Sequence, residues 1–375
     1  MKISRQQQNR GIAIIIVMVS IFALAMLAGA FAYTMKVETK LSANSMYETQ
    51  MQWAGRAGID YARWCLAEEL TEPGSGQRYD SLDQVWAGGN AETNETLLSI
   101  SHENIEVGPG VTVKKWSVVD LERKVNVNGA IGNPQLLQQA LTLAGASVTE
   151  VPNIISSVQD WIDPDDDERR NGAESSYYQG LTPAYNAKNG PIDDLSELLL
   201  IKGVTPELYW GLESTNHPSA IFGKQVVTLS GLRTVQEAGP VKLTDVLTPI
   251  SAGWINILTA SQAQLELLPG VDDNVATQII QLRQERDQGA YLPYPSPSDL
   301  LVNTSLGREL TPLTAQYCSF RSPTREITVV VQVGMTVRTY FAIVRINSVK
   351  DIPVLSLRWE DGDQSAAHSD PSQGN

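Results

Sequence analysis

Hydrophobic residues form one uninterrupted block near the start of the chain. Residues 1–10 are polar and basic, whereas the segment from Gly11 to Met35 contains no charged residue. A helix needs about 20 apolar residues to cross a bilayer. Because the basic flank should stay in the cytoplasm, everything after Met35 should lie outside it. The pattern predicts a single-pass membrane helix followed by an exported body.

The helical pattern continues beyond this block. Apolar residues recur at helical spacing through Leu66, and a Pro-Gly-Ser-Gly sequence at 73–76 then breaks the pattern. One helix from Ile12 to Leu70 would be about 90 Å long. A coiled-coil stalk is the alternative, but the segment shows no clean heptad repeat.

Strand-forming segments lie on both sides of a long helical region. Residues 111–128 and 326–347 are rich in β-branched residues, and another strand is predicted from Val354 to Trp359. The composition from Glu360 onward is typical of a disordered tail. The order of these segments predicts an α+β fold, in which an antiparallel sheet is interrupted by an inserted helical domain.

Two segments of the helical region match each other. Residues 198–209 and 265–276 each contain an apolar helix end, a glycine, an N-cap residue and the start of a second helix. The glycine and N-cap pairs are Gly203 with Thr205 and Gly270 with Asp272. Both segments are predicted to be helical hairpins.

Such hairpins also resemble the helix-hairpin-helix motif that grips DNA backbones. In that motif backbone N–H groups hold a phosphate, usually with a second glycine two residues after the first. Here those positions are Thr205 and Asp272, and no cluster of basic residues compensates for the formal net charge of −14. Because an acidic surface repels nucleic acid, we predict structural or protein-binding hairpins and no nucleic-acid partner.

An acidic run occupies residues 160–178. Carboxylates at spacings of two residues can supply the oxygen atoms that calcium prefers. The candidate ligands are Asp160, Asp163, Asp165, Asp167 and Glu174. The run is not an EF-hand, because the glycine and the glutamate of that loop are missing. On composition alone, a solvated acidic surface is the alternative.

Cysteine and histidine usage gives no indication of catalysis. The sequence has no C-x-x-C pair, and none of its three histidines stands beside a plausible nucleophile. It also lacks a nucleophile elbow and a phosphate-binding glycine loop. We predict that the protein is not an enzyme. Cys65 and Cys318 could form a disulfide in an exported domain, or remain unpaired buried thiols.

The start of the chain resembles a type IV prepilin leader. Asn9-Arg10-Gly11 followed by an apolar run from Ile12 is similar to the site where prepilin peptidase cleaves after glycine. Most pilins carry glutamate at the fifth mature position, which here is Ile16, and an apolar residue there is a hallmark of the K subunit of type II secretion. The alternatives are a plain membrane anchor and a secretory signal cleaved after Ala30, although the apolar block is long for a signal.

Three further segments resemble the general secretion pathway protein K family. Residues 120–128 are similar to its D-L-x-G-(K/R)-(I/F)-N-L-N segment, with Arg123 in place of the glycine. Residues 160–178 are similar to its acidic segment, and residues 254–260 to its I-N-(V/I)-N-T-A segment. Known members bind calcium in the acidic segment, so the resemblance implies calcium as a cofactor here.

The resemblance also implies a domain organisation. The expected segments are a leader (1–11), a transmembrane helix (12–35), its periplasmic continuation (36–72), the first part of the pseudopilin sheet (73–128), an inserted α-helical domain (129–320), C-terminal strands (321–360) and a disordered tail (361–375).

The function implied by the resemblance is that of a minor pseudopilin in the inner membrane, with a cytoplasmic N-terminus and a periplasmic body. It would join minor pseudopilins of the I and J types in a tip complex that initiates assembly of the major pseudopilin on the inner-membrane platform. The fibre would serve the export of folded proteins across the outer membrane. The alternatives are a tip subunit of another type IV filament, for adhesion or DNA uptake, and an exported binding protein with helical hairpins.

We expect prepilin peptidase to remove residues 1–11. Intact mass and N-terminal sequencing of the chain produced with and without the peptidase should show an N-terminus at Ile12 only when the peptidase is present. Cleavage after Ala30, or the same full-length mass in both samples, would contradict the prepilin interpretation.

Overall fold

The fold is described here from a computed structural model. It covers residues 8–71, 79–89, 95–211, 226–228, 231–233, 241–286, 294–334 and 336–361. Most of the predicted leader, the predicted helix break at 73–76 and almost all of the predicted tail lie outside these residues.

The chain alternates between a few long elements and many short ones. The strands are β1 (Glu103–Gly108), β2 (Val111–Asp120), β3 (Val125–Asn126), β4 (Val226–Thr228), β5 (Gly231–Arg233), β6 (Leu247–Thr248), β7 (Ile255–Asn256), β8 (Cys318–Ser319), β9 (Thr324–Val333), β10 (Thr336–Arg345) and β11 (Val354–Asp361). The α-helices are α1 (Gln8–Glu69), α2 (Glu95–Leu98), α3 (Pro134–Leu143), α4 (Val151–Ile162), α5 (Ser175–Tyr178), α6 (Pro206–Trp210), α7 (Leu243–Val246), α8 (Gln262–Leu265), α9 (Asp273–Arg286), α10 (Pro297–Leu301) and α11 (Thr311–Ala315). Short 3-10 helices occupy Val85–Ala87, Val127–Ile131 and Leu195–Leu200.

Helix α1 is continuous over 62 residues. Every side chain from residue 13 to residue 42 is exposed, although this part of the helix is strongly apolar. From Met51 onward α1 buries one face. Its first half is long and apolar enough to cross a bilayer. The spine helix predicted from Ile12 to Leu70 is confirmed over its described length, and it ends at Glu69.

The second half of α1 lies on a five-stranded antiparallel sheet with the order β1-β2-β9-β10-β11. It packs mainly on the central strands β2 and β9. Two glycines permit the close approach, because a Cβ on Gly58 would lie 2.5 Å from Val329 and one on Gly55 would lie 2.6 Å from the Tyr340 ring. Alternate residues of β9 fill the space beneath the helix.

The predicted strands are correct in place but wrong in two of their bounds. Strand β2 ends at Asp120, because its Oδ1 atom accepts a hydrogen bond from the Glu122 backbone at 2.8 Å and turns the chain out of the sheet. The predicted strand at 326–347 is two strands, β9 and β10, which are joined by a turn with Gly334 at φ +59°. The predicted α+β class is confirmed.

The helical block lies between β2 and β9 in the sequence and has its own hydrophobic core. The centre of that core includes Leu137, Ile154, Trp161, Leu265 and Ile279. Two short pairs of parallel strands, β3 with β6 and β7 with β8, connect parts of this block that are far apart in the sequence. A separate cluster of buried residues fills the space between α1 and the sheet.

A buried polar network joins the sheet to the helical block. Asp120, at the end of β2, accepts hydrogen bonds from Thr259 Oγ1 and, at 2.6 Å, from Ser322 Oγ. The Asn256 amide donates to Asp80 O at 2.9 Å and to Ser322 Oγ at 2.7 Å. Burial raises the pKa of Asp120, and these donors oppose that shift. The network therefore holds both ends of the block against the sheet.

Asp80 and Arg325 form the charged part of this junction. Arg325 Nη2 lies 2.6 Å from Asp80 Oδ1, and both side chains are almost completely buried. The guanidinium carbon also lies 4.2 Å from the centre of the Trp86 ring. Removing one member of such a pair leaves a buried charge with weaker compensation.

We expect Arg325→Met to lower the free energy of unfolding by about 3 kcal/mol, because Asp80 loses its shortest ion pair in a buried site. The matched control is Arg358→Met, whose half-exposed ion pair with Glu360 should cost less than about 1 kcal/mol. Urea unfolding of the detergent-solubilised protein, followed by near-UV circular dichroism, measures both. Equal losses in the two variants would contradict the proposed importance of the junction.

Candidate metal centre

The acidic loop follows directly after helix α4, at the surface of the helical block. Its C-cap is Asp163, and the chain returns at Glu174, which is the N-cap of α5. Trp161 and Ile162 are buried, and the Trp161 ring meets Tyr178 edge-on at 5.3 Å. These three side chains belong to the hydrophobic core of the helical block, and they fix the two ends of the acidic loop.

Three carboxylates converge within the loop. One oxygen atom each from Asp163, Asp165 and Glu174 lies within 4.8 Å of the other two. Asp163 and Glu174 are buried, and Asp165 is exposed. Calcium binds oxygen at 2.3–2.6 Å, so ligands on opposite sides of one ion are separated by about 5 Å. The spacing therefore suits a single hard cation.

Two of these carboxylates carry oxygen atoms for which the described residues provide no hydrogen-bond donor. They are Oδ1 of Asp163 and both oxygens of Glu174. Glu174 is 1% exposed. Burial, followed by the charges of Asp160 and Asp163, raises the pKa of Glu174 to about 7. Because a buried carboxylate without a partner is costly, the donor set fits a bound divalent cation.

The other two predicted ligands take different positions. Asp160 is fully buried, and its oxygens accept from Ala173 N at 2.9 Å and from both the backbone and the side chain of Arg169. Asp167 is exposed, and its backbone N–H donates to Asp165 Oδ1 at 3.0 Å. Of the five predicted ligands, the structure thus brings three together.

Sequence reasoning overlooked the residues that shape the loop. Arg169 Nη1 bridges Asp160, at 2.9 Å, and Asp163. Hydrogen bonds to Asp163 and Asp160 raise the pKa of Arg169. Gly172 must be glycine, because a Cβ there would overlap Asp160 Oδ2. The signals that could have identified these two residues are an arginine and a glycine inside an acidic run.

Asn189 approaches the loop from a later segment. Its Nδ2 atom donates to Asp166 Oδ1 at 2.9 Å, and its Oδ1 atom is buried without a donor among the described residues. Its backbone adopts φ +48°, which asparagine tolerates better than most residues. No local sequence pattern connects it with the loop, since it follows the acidic run by more than ten residues.

The first hairpin packs against the same loop. Gly203 has φ +89°, and a Cβ there would lie 2.8 Å from Ile154 of α4. Lys202 Nζ donates to Gly172 O at 2.8 Å and lies 4.8 Å from the centre of the Tyr177 ring. The hairpin turn and the acidic loop therefore form one packed unit.

Both hairpins carry the predicted N-caps. Thr205 Oγ1 accepts from Leu208 N at 3.4 Å, and Asp272 Oδ1 accepts from Val275 N at 2.9 Å. The first element of the first hairpin is a 3-10 helix rather than an α-helix. In the second hairpin the Asp272 carboxylate accepts a hydrogen bond from a backbone N–H group that would have to bind the phosphate in the DNA-binding motif.

The remaining predicted sites lie on α1, except for Cys318. Cys65 is buried between α1 and the sheet, whereas Cys318 lies beside the helical core and donates to Thr314 O at 3.3 Å. The two are not bonded, so the possible disulfide is not formed in this structure, because they belong to different hydrophobic clusters. The Ile16 side chain is exposed, and the backbone at Gly11 and Ile12 is helical.

One segment of the chain is similar to a known family. Residues 123–215, which include the acidic loop and the first hairpin, match a family model described as "Type II secretion system (T2SS), protein K". Type II secretion system protein K of Klebsiella pneumoniae is 23% identical over 54% of this chain and 60% of its own length. That of Pseudomonas aeruginosa is 24% identical over 53% of this chain and 58% of its own length. The chain thus aligns with about three fifths of these relatives.

The fold is shared with a chain in the crystal structure of the GspK-GspI-GspJ complex from the enterotoxigenic Escherichia coli type 2 secretion system. The TM-score is 0.61 at 16% identity, and the match covers 86% of this chain and 99% of that one. The two chains thus share a fold, which in this protein consists of a long apolar helix on an antiparallel sheet with an inserted helical block. The matched segment, residues 123–215, is similar to the type II secretion system protein K family.

We expect calcium affinity to fall by about tenfold in total between pH 8 and pH 6, because Glu174, with its pKa near 7, must lose a proton when the cation binds. Above pH 8 the affinity should level off. Calcium titration calorimetry at several pH values between 6 and 8 measures this dependence.

The control for this prediction is Glu174→Gln, which removes the titrating group. It should bind calcium weakly and with little change over the same pH range. A wild-type affinity that stays constant from pH 8 to pH 6 would contradict the assignment of Glu174 as a ligand.

Proposed function

We propose that the protein is a minor pseudopilin that joins pseudopilins of the I and J types in the tip complex of a type II secretion system. The observation that carries this proposal is the shared fold with a chain of a GspK-GspI-GspJ complex, which covers nearly all of that chain. The family match over residues 123–215 supports the same system. The tip complex would initiate assembly of the major pseudopilin on the inner-membrane platform and so assist the export of folded proteins.

The membrane anchor in this proposal is the first half of α1. Its apolar side chains are exposed from residue 13 to residue 42. Exposure of so large an apolar surface to water is unfavourable, whereas a bilayer would cover it. The basic flank at residues 1–10 supports a topology with the N-terminus in the cytoplasm and the sheet and helical block in the periplasm. Prepilin peptidase would cleave between Gly11 and Ile12.

The tip position rests on the residue that replaces the usual glutamate. An ionised carboxylate inside a bilayer is costly unless a neighbouring subunit supplies its partner. Ile16 needs no such partner, which suits a subunit with none ahead of it. The helical block inserted between β2 and β9 would add bulk at the end of the fibre.

Calcium is the proposed cofactor, with Asp163, Asp165 and Glu174 as ligands. The ion would neutralise carboxylates whose oxygens have no donor among the described residues, and so hold the acidic loop in place. The role of the ion is structural. The protein as a whole acts mechanically, by assembly, and not as an enzyme.

The test is assembly and export in a strain that lacks the endogenous protein. Full-length chain, co-expressed with the I and J types of the same secretion system, should be recovered with both from detergent-solubilised membranes, and it should restore export. A chain that restores DNA uptake or adhesion but not export, and that is not recovered with the I and J types, would overturn the proposal.

A further inference from the structure

Arg169 occupies an unexpected position for a cation beside a candidate calcium site. Its Nη1 atom lies 2.9 Å from Asp160 Oδ1 and also bonds Asp163 Oδ2. By charge alone, an arginine this close would repel a bound calcium ion and weaken binding. The positions of the oxygen atoms that it bonds, however, indicate a different role for Arg169.

The two oxygens of Asp163 have separate environments. Oδ2 bonds Arg169, whereas Oδ1 is buried and has no donor among the described residues. Asp163 contributes one oxygen to the group that it forms with Asp165 and Glu174, and Oδ1 is the oxygen that has no donor to give up. Arg169 therefore holds the Asp163 carboxylate by one oxygen and leaves the other available to the cation. Such outer-shell contacts orient metal ligands.

Asp160 supplies the fixed end of this arrangement. Its carboxylate is fully buried and accepts from Arg169 N, Arg169 Nη1 and Ala173 N, at distances from 2.9 to 3.3 Å. Both of its oxygens are thus bonded within the protein. Gly172 lies against the same carboxylate, with no space for a side chain. Asp160 is in this way anchored by the loop backbone and by Arg169.

We propose that Arg169 is a positioning residue for calcium, held by Asp160, and that Asp160 is not itself a ligand. The inference rests on the proposed calcium site. Arg169 fixes the rotamer of Asp163 before the ion arrives, so that Asp163 Oδ1 meets the ion without further ordering. The benefit of this preorganisation outweighs the repulsion from the guanidinium charge.

Preorganisation of Asp163 and repulsion by the guanidinium charge predict opposite changes in calcium affinity when Arg169 is replaced. Arg169→Gln should weaken calcium binding by about 10- to 100-fold, as loss of an outer-shell contact does. If Arg169 acted only through its charge, the same variant would bind calcium more tightly. Arg170→Gln is the matched control, because Arg170 is exposed and carries the same charge one residue further along.

The measurement is calcium titration calorimetry on the full-length chain in detergent micelles, with circular dichroism of the cation-free variants to show that they are folded. Arg170→Gln should bind within about twofold of the wild type, since it removes only an exposed, salt-screened charge. Arg169→Gln that binds as tightly as Arg170→Gln, or more tightly, overturns the inference and leaves the calcium site standing. A wild-type chain that binds no calcium overturns both.

A second measurement covers the case in which Arg169→Gln is poorly folded. Terbium bound in place of calcium reports, from its luminescence lifetimes in H2O and D2O, how many waters it holds. Asp160→Asn should weaken terbium binding without changing that number. A gain of about one bound water in Asp160→Asn would make Asp160 a ligand and overturn the inference.

Discussion

The helical block depends on one constraint, which is that its two ends leave and re-enter the sheet on neighbouring strands. Asp120 at the end of β2 and Arg325 at the start of β9 are partners in the strand register. The buried bonds of Asp120, and the ion pair between Arg325 and Asp80, lie at this point. The described residues between 121 and 323 thus contribute no strand to the five-stranded sheet.

Beyond this junction, segments of the helical block are held together by hydrogen bonds from side chains to the backbone. Asn128 donates to Ile192 O at 2.9 Å and to Pro249 O at 3.0 Å, and so ties three segments together. Gln159 Nε2 donates to Ala130 O at 2.9 Å and fixes α4 beside them. The acidic loop follows α4 directly, so its geometry is set by contacts that begin at the sheet. This explains how carboxylates that repel one another can be held so close together.

The sequence predicted those features that have a local cause. The uncharged block from Gly11 to Met35 predicts a long helix, and the glycines and N-cap residues predict both hairpins. The end of β2 at Asp120 depends on a side chain bonding the backbone two residues on, which β-branched periodicity does not reveal. Likewise, spacing alone could not distinguish Asp160 from Asp163 and Glu174, because the difference lies in which of their oxygens already accept hydrogen bonds within the described part of the protein.

Helix α1 has one consequence for how the molecule moves. Residues 8–69 contain no proline, and the helix has no interruption along its length, so it has no hinge at which to bend sharply. The glycines at 55 and 58 seat it so closely on Val329 and Tyr340 that it cannot slide along the sheet without a clash. A push or a turn applied to the apolar end is therefore transmitted to the sheet along one continuous helix.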